Sequence, residues 1–211
     1  MHQPQLQDRI ARGLGTAARH IGLAYDAFRT VSASNPLAAA NRYLQLAAAF
    51  NAEDPSFKRP ASYGRATWLG IFDSAYTQAG DYLRGPAGTF FIATQPALLP
   101  VLCILTNRVL TISRPAAPAT PGINTYGGVL LATATPILTA WPASVLSAGA
   151  GSPGTLPGDG NIPSWTILLP ITPVPPRTAD LIQDDLGRSY TIGMCEGSAL
   201  GWRILAKQAA A

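Results

Sequence analysis

Charge is scarce in this sequence of 211 residues, and it is unevenly distributed. The 94 residues from Gly85 to Thr178 include only four charged side chains, Arg108, Arg114, Asp159 and Arg177. A domain of that size normally displays mixed charge, because charge keeps protein surfaces apart and soluble. This stretch is rich in Ala, Thr, Ser, Gly and Pro instead. The composition predicts that neighbouring subunits, and not water, cover much of its surface.

Long apolar runs and metal-binding patterns are also lacking. The longest apolar run, Ala97 to Leu105, contains Pro100 and is far shorter than the ~20 residues of a membrane helix, so no membrane span is predicted. The polar N-terminus predicts no secretory signal, and the mature chain is expected to begin at or near Met1. Cys103 and Cys195 have no CxxC spacing and no histidine nearby in the sequence, which argues against zinc and redox sites. No cofactor and no metal are expected.

Basic residues are scattered along the chain. The net charge is +4, and no basic run is longer than Lys58 and Arg59. Nucleic-acid binding usually requires clustered cations with stacking aromatics. Specific nucleic-acid binding is therefore not expected.

The first fifty residues predict helices. Apolar residues from Leu6 to Phe28 recur at spacings of three and four, as in one amphipathic helix or in two helices broken near Gly22. Gly13 and Gly15 weaken this helix by about 1 kcal/mol each relative to alanine, so a partner surface must stabilise it.

A second helix is predicted from Pro36 to Ala47. Pro36 suits a first helical turn, and Ser34 or Asn35 would act as the cap.

After Tyr63 the apolar pattern shifts toward a period of two, bounded by Gly and Pro, which is typical of short strands. The gap at Asn107 and Arg108 has the length of a hairpin turn. A segment with four prolines and five glycines, Pro142 to Pro163, predicts a long loop. No internal repeat is evident. Strands are predicted at residues 67–73, 89–94, 99–106, 109–113, 129–134, 165–169, 188–195 and 201–206.

The predicted fold class is α+β, with N-terminal helices followed by a mainly antiparallel β-sandwich or barrel-like region. Three parts are expected: a helical region over residues 1–50, a β-subdomain over 51–115, and a β-rich C-terminal subdomain over 116–211 that contains the loop at 142–163.

Two catalytic or cofactor patterns are present in part. Gly149, Gly151 and Gly154 spell GxGxxG, but Pro153 lies inside the motif and no helix follows, so dinucleotide binding is not expected. Cys195, between Gly193 and Gly197, resembles a nucleophile elbow. Both histidines precede it in the chain, whereas elbow hydrolases place the histidine base after the nucleophile. The sequence predicts no catalytic, cofactor-binding or metal-binding residue and no enzyme.

Besides a subunit of an assembly, two other functions remain open for this sequence. One is a cysteine-dependent hydrolase using Cys195, which needs a histidine brought beside the thiol. The other is a carbohydrate-binding module, which needs at least two exposed tryptophans on one face. The available tryptophans are Trp68, Trp141, Trp165 and Trp202.

Two stretches carry a resemblance to a known class of proteins. The first is GDYL from Gly80, followed by GTFFIA from Gly88 and LPVLCILTNRVLTISRP from Leu99. The second is DLIQDDLGRSYTIG from Asp180 with GWRIL from Gly201. Together they resemble uncharacterised structural proteins of tailed bacteriophages and prophages, and the second is similar to the small β-barrels of phage connector and tail proteins. The resemblance implies a virion component of the tail, baseplate or neck, whose partners are copies of itself and other virion proteins.

Overall fold

The computed structural model describes residues 3–52, 65–116, 134–148 and 163–208. Within these ranges the chain forms one α-helix, two short 3-10 turns and twelve antiparallel strands. The helix α1 spans Gln3–Ile21, and it is not long and apolar enough to cross a lipid bilayer. The strands close into two six-stranded barrels.

Barrel A is formed by β1 (Leu23–Phe28), β2 (Arg42–Ala52), β3 (Thr67–Ile71), β4 (Tyr82–Gly85), β5 (Gly88–Thr94) and β6 (Val101–Leu105). Barrel B is formed by β7 (Arg108–Pro115), β8 (Ala134–Ser147), β9 (Ser164–Leu169), β10 (Leu181–Asp184), β11 (Ser189–Ser198) and β12 (Gly201–Gln208).

The two barrels have the same topology. The strand order is β1-β2-β3-β6-β5-β4 in barrel A and β7-β8-β9-β12-β11-β10 in barrel B. The register also agrees: Ile92 lies opposite Cys103 just before an irregularity in β5, and Ile192 lies opposite Ala206 just before one in β11. The chain is therefore a structural duplication, and where the strand pairings match, a residue of barrel A has a twin in barrel B.

Alternate residues of β4 and β5 face two different cores. Leu83, Phe90 and Ile92 belong to the core inside barrel A. Their neighbours Tyr82 and Phe91 belong to a larger core that includes the interior of barrel B. Because both faces of these strands are buried, their sequence is almost continuously apolar, which is expected of strands covered on both sides.

The two barrels pack directly against each other through β8. The rings of Tyr82 and Trp141 meet edge to face with centroids 6.3 Å apart, and Trp141 Nε1 donates to the carbonyl of Ala33 at 2.9 Å. The side chain of Asn107 bonds both backbone groups of Val145, with distances of 2.8 and 2.9 Å. The junction therefore combines apolar packing with hydrogen bonds between the barrels.

The surface of barrel A at this junction differs sharply from its twin surface. On barrel A the contributing residues are buried: Tyr82, Phe91, Ala93 and Ile104. The strand pairing gives their twins on barrel B, which are partly or fully exposed: Leu181, Thr191, Gly193 and Lys207. Burial against barrel B thus accounts for the apolar character of the barrel A surface.

The helix α1 lies on the outside of barrel A, against β2, β3 and the 3-10 turn Ser74–Tyr76. Ala11 and Ala18 are buried there. A Cβ on Gly15 would lie 2.8 Å from Cβ of Asp73, so the absence of a side chain permits this close approach. The helix covers β2, which is the twin of the docking strand β8.

The predicted helix at Pro36–Ala47 is wrong. Residues Ala39–Asn41 form a 3-10 turn, and residues from Arg42 onward form β2. Ala and Leu favour helices in isolation, but Leu44, Leu46, Ala48 and Phe50 alternate and pack into the core of barrel A. Pairing with β1 and burial override the local helical preference.

The predicted helical region over residues 1–50 is accordingly helical only at its start. The α-helix ends at Ile21, where Gly22 N donates to the Ala18 carbonyl at 2.7 Å, and β1 follows at once. The apolar spacing that predicted helix through Phe28 therefore continues into a strand.

The predicted hairpin at Asn107 is also wrong. The strand β6 pairs with β3 and β5, whereas β7 pairs with β8 and β10. Asn107 instead connects the barrels, because its side chain bonds to β8. The boundary predicted between residues 115 and 116 consequently falls at the end of β7, and the change of barrel lies between Leu105 and Arg108.

The loop predicted over residues 142–163 begins later than expected, since Pro142–Ser147 belong to β8. Proline is tolerated at irregular strand positions, and β8 has register shifts and a positive φ of 55° at Ala140. Residues 149–162 of this loop, and residues 129–133 of a predicted strand, lie outside the described residues. The coarse prediction of an N-terminal helix before a mainly antiparallel β-region is confirmed, with less helix than expected.

Candidate functional site

Cys195, the one candidate nucleophile, lies in β11 of barrel B. Its Sγ contacts the carbonyl of Pro176 at 3.5 Å. Burial raises the pKa of the thiol, and the negative charge of Asp180 raises it further. A catalytic cysteine requires the opposite shift, toward the thiolate. The strand then turns into β12, so the described chain has no helix where an elbow would need one.

The other site patterns have no supporting geometry. The GxGxxG residues Gly149, Gly151 and Gly154 lie outside the described residues. Where the chain is described, no three His, Cys, Asp or Glu side chains come together as a metal site. Cys103 and Cys195 are both free thiols, and Cys103 lies buried inside barrel A.

The tryptophans do not form an exposed platform. Trp141 is buried at the barrel junction, and the other three are partly buried. Trp68 packs edge-on against Phe90 inside barrel A, and its twin Trp165 packs against Tyr190 inside barrel B. The two exposed tryptophans on one face that a carbohydrate-binding module needs are therefore missing.

A buried ion pair is repeated in the two barrels. In barrel A, Arg29 Nε and one terminal nitrogen donate to the two oxygens of Asp81 at 2.9 and 2.8 Å. In barrel B, Arg114 makes the same bidentate contact with Asp180, with both distances 2.9 Å. Each arginine follows or ends the first strand of its barrel, and each aspartate immediately precedes the fourth. This arrangement ties together loops that are distant in sequence.

The loops around the two pairs also match. Asp81 accepts from the backbone N–H of Gln78 at 2.9 Å, and Asp180 accepts from that of Arg177 at 2.8 Å. The residue before each aspartate has a positive φ: 94° at Gly80 and 68° at Ala179. The repeated ion pair is thus a structural element of each barrel. Both carboxylate oxygens of each aspartate already accept hydrogen bonds from the protein.

Most described acidic side chains have partners within the fold. Asp81, Asp180 and Asp184 are buried. Three more acids pair with arginines at the surface, in the contacts Arg42–Asp26, Arg108–Asp185 and Arg203–Glu196. Asp73 caps the 3-10 turn that follows it. Much of the described negative charge is therefore offset by a neighbouring arginine.

Large apolar side chains are exposed on both barrels and on α1. The most exposed is Val31 at 82%, followed by Tyr76, Ile21 and Leu99 at 63–66%. Others are Leu6, Leu23, Tyr43, Leu98, Val109, Ile171, Leu186, Met194 and Leu200. Single exposed apolar residues are ordinary, but here they accompany a surface with little charge.

Two concave sites are lined mainly by apolar residues. A cleft of about 400 Å³ lies between the barrels, with Phe91 and Ile104 on one side, Leu169 and Trp202 on the other, and the Glu196–Arg203 ion pair among its lining residues. A pocket of about 240 Å³ opens at one end of barrel A. Its lining includes Tyr25, Phe50, Trp68 and Phe90, and none of its lining residues is charged.

No protein family, curated protein or solved structure gives a significant match to this chain. The function of this chain must therefore be inferred from its own sequence and structure.

Sequence reasoning did not identify either concave site or the repeated ion pair. In the sequence, Arg114 is notable only as one of the few charges in a poorly charged stretch. Asp180 is notable only as the first residue of the second stretch that carries the resemblance. The sequence signal that could have revealed the ion pair is a rare charge among apolar residues, because an isolated charge can be buried only with a partner.

Proposed function

We propose that this chain is a non-enzymatic structural subunit of a permanent assembly, and specifically a component of a tailed-phage virion in the tail, baseplate or neck. It acts through symmetric contacts with copies of itself and with other virion proteins. The assignment to a virion rests on the resemblance of the two sequence stretches. The assignment to an assembly rests on the distribution of charge.

The observation that carries the proposal is the internal use of charge in the poorly charged stretch from Gly85 to Thr178. Arg108 pairs with Asp185, and Arg114 pairs with the buried Asp180. Among its described charged groups, only the guanidinium of Arg177 has no ionic contact, while Asp159 lies outside the described residues. Strands β5 to β9, which lie in this stretch, therefore offer water very little charge, which favours covering by other subunits.

The chemistry of the described residues supports the same proposal. The thiol of Cys195 is held in its protonated form, and the buried aspartates are bonded to arginine, tyrosine or backbone groups. These groups stabilise the barrels, and the candidate nucleophile Cys195 is not activated. A cysteine hydrolase and a sugar-binding module are both less well supported.

Two measurements test the proposal. Sedimentation equilibrium of the purified full chain should give a mass of several subunits, since obligate interfaces commonly bury ~2,000 Å² or more. Mass spectrometry of particles induced from the encoding strain should recover the chain in fixed ratio to other virion proteins. A stable monomer at high concentration that is absent from particles would refute both parts.

Two variants and one control variant test where the interface lies. Leu99→Asp and Tyr76→Asp place charge on exposed apolar positions of barrel A, and Thr191→Asp places it on an exposed polar position of barrel B. If apolar surfaces hold the assembly together, one of the first two variants should lower its mass while Thr191→Asp does not. Equal masses for all three variants and the parent would exclude these positions from the interface.

A further inference from the structure

The duplication allows the open end of barrel A to be compared with its twin, position by position. At this end β1 and β3 begin, β6 ends, and β4 turns into β5. The pairing of Phe90 with Leu105 corresponds to that of Tyr190 with Gln208. Gly85, at the end of β4, corresponds to Asp184 at the end of β10. The twin positions therefore differ in polarity.

In barrel B this end is occupied by a polar network. Tyr190 Oη donates to Asp184 at 2.8 Å, and Trp165 Nε1 donates to Gln208 at 3.2 Å. The guanidinium of Arg188 lies over the Trp165 ring, 5.7 Å from its centroid. These polar side chains have their partners within the same barrel.

In barrel A the same end has aromatic and aliphatic residues around a pocket of about 240 Å³. Phe50 and Phe90 are stacked with centroids 3.8 Å apart and an interplanar angle of 4°. Tyr25 and Trp68 meet Phe90 edge to face. A Cβ on Gly85 would lie 2.5 Å from the Tyr25 ring, so the glycine leaves the space that Tyr25 fills. The lining is therefore held in place by ring contacts.

The rim of the pocket is also apolar. Ile21 and Leu23 line it and are 65% and 51% exposed. The backbone N–H of Ala87 donates to the hydroxyl oxygen of Tyr25. Because none of the described lining residues is charged, the pocket favours an uncharged occupant and disfavours an ion, which would lose its hydration without compensation.

The volume of the pocket and the geometry of its aromatic rings further restrict which molecules it can bind. An apolar cavity of about 150 Å³ admits a benzene molecule, so a pocket of about 240 Å³ has room for one ring or two fused rings. Aromatic linings bind flat rings through edge and face contacts. We propose that the open end of barrel A is a binding site for a small, neutral aromatic molecule. This proposal is independent of the assembly role.

Fluorescence titration tests it on the purified full chain. The neutral two-ring probe 1-naphthylamine should bind saturably, and naphthalene should displace it at least tenfold more effectively than 1-naphthoate, which has the same rings and a negative charge. Ala87→Phe places a ring at the mouth of the pocket and should weaken probe binding at least tenfold. Ala87 is exposed on the β4–β5 turn, so this variant should fold normally.

The matched control is Leu186→Phe. Leu186 occupies the corresponding turn position of barrel B and is 55% exposed, so this change should leave probe affinity within twofold of the parent. Leu23→Lys, which places charge at the rim, should also weaken binding and provides a second variant if Ala87→Phe is unstable in a thermal melt.

Three results would overturn the proposal. The first is the absence of saturable probe binding by the parent chain. The second is unchanged probe affinity in folded Ala87→Phe or equal displacement by the charged and neutral competitors. The third is a loss of oligomer mass in proportion to bound probe, which would assign the pocket to a side chain of a neighbouring subunit.

Discussion

The hydroxyl of Tyr82 donates a 2.8 Å hydrogen bond to the carbonyl oxygen of Pro142, from barrel A to barrel B. Both groups lie in the apolar junction, where an unpaired carbonyl is costly. Tyr82→Phe should therefore lower the free energy of unfolding by about 1 kcal/mol. Tyr76→Phe, at a residue that is 66% exposed, should change it by less than about 0.5 kcal/mol. Urea unfolding followed by tryptophan fluorescence measures both.

The same tyrosine predicts how stability depends on pH. Burial raises the pKa of Tyr82 well above its ordinary value of 10.0. In the unfolded chain this tyrosine ionises near its ordinary pKa, whereas in the folded chain it stays neutral. Its contribution is fully present below about pH 10 and is lost as pH rises toward the folded pKa. The slope of stability against pH above 10 should be shallower in Tyr82→Phe, and an unchanged slope would contradict this account.

Two glycines of α1 should respond to alanine with opposite signs. A Cβ on Gly13 would have no atom within 4 Å, so Gly13→Ala should stabilise the chain by about 0.5–1 kcal/mol through helix propensity. A Cβ on Gly15 would meet Asp73 at 2.8 Å. Gly15→Ala should destabilise the chain by about 1–3 kcal/mol because α1 must move away from the barrel. Thermal unfolding of the two variants distinguishes these outcomes, and stabilisation by both would mean that α1 is not tightly docked.

The repeated ion pairs should have similar energetic roles. Arg29→Met and Arg114→Met each leave a buried aspartate without its partner, and breaking such a pair costs about 3 kcal/mol or more. The arginine side chains are 38% and 28% exposed, so the loss should lie near this lower limit. Arg84→Met, at an exposed position of β4, is the control and should have little effect. Chemical denaturation gives the three values; a large difference between the first two would argue against equivalent roles.

Cysteine reactivity provides a further check. Burial raises the pKa of both thiols, and Cys103 is completely enclosed in barrel A. In the native chain Cys103 should react with a thiol reagent only on unfolding, and Cys195 should react more slowly than a free cysteine at pH 8. Cys195→Ser should leave assembly unchanged, whereas loss of a hydrolytic activity in that variant would support the enzyme alternative.

The sequence predicted the strands of the second half better than those of the first. β9, β11 and β12 follow clear β-branched and aromatic patterns. β2 was mistaken for a helix, because its Ala and Leu residues are good helix formers and only pairing with β1 makes them a strand. Local patterns cannot reveal such a long-range pairing.

The duplication was missed for a different reason. Arg29 and Asp81 are 52 residues apart, whereas Arg114 and Asp180 are 66 apart, so the twins do not recur at a fixed period. Loops of unequal length account for the difference in spacing. The open end of barrel A was hidden for the same reason, since its four aromatic residues lie on four separate strands that only closure of the barrel brings together.

The unequal surfaces of the two barrels limit how copies of this chain can join. A head-to-tail contact that copied the internal junction would leave the same surfaces free on each added copy, and it would generate an open fibre unless its rotation closed a ring. Such growth would need β2 to act as β8 does, but α1 lies over it, and it would need an apolar surface where barrel B presents Thr191 and Lys207. The internal junction is thus self-limiting. Any ring or stack built from this chain must close through another surface.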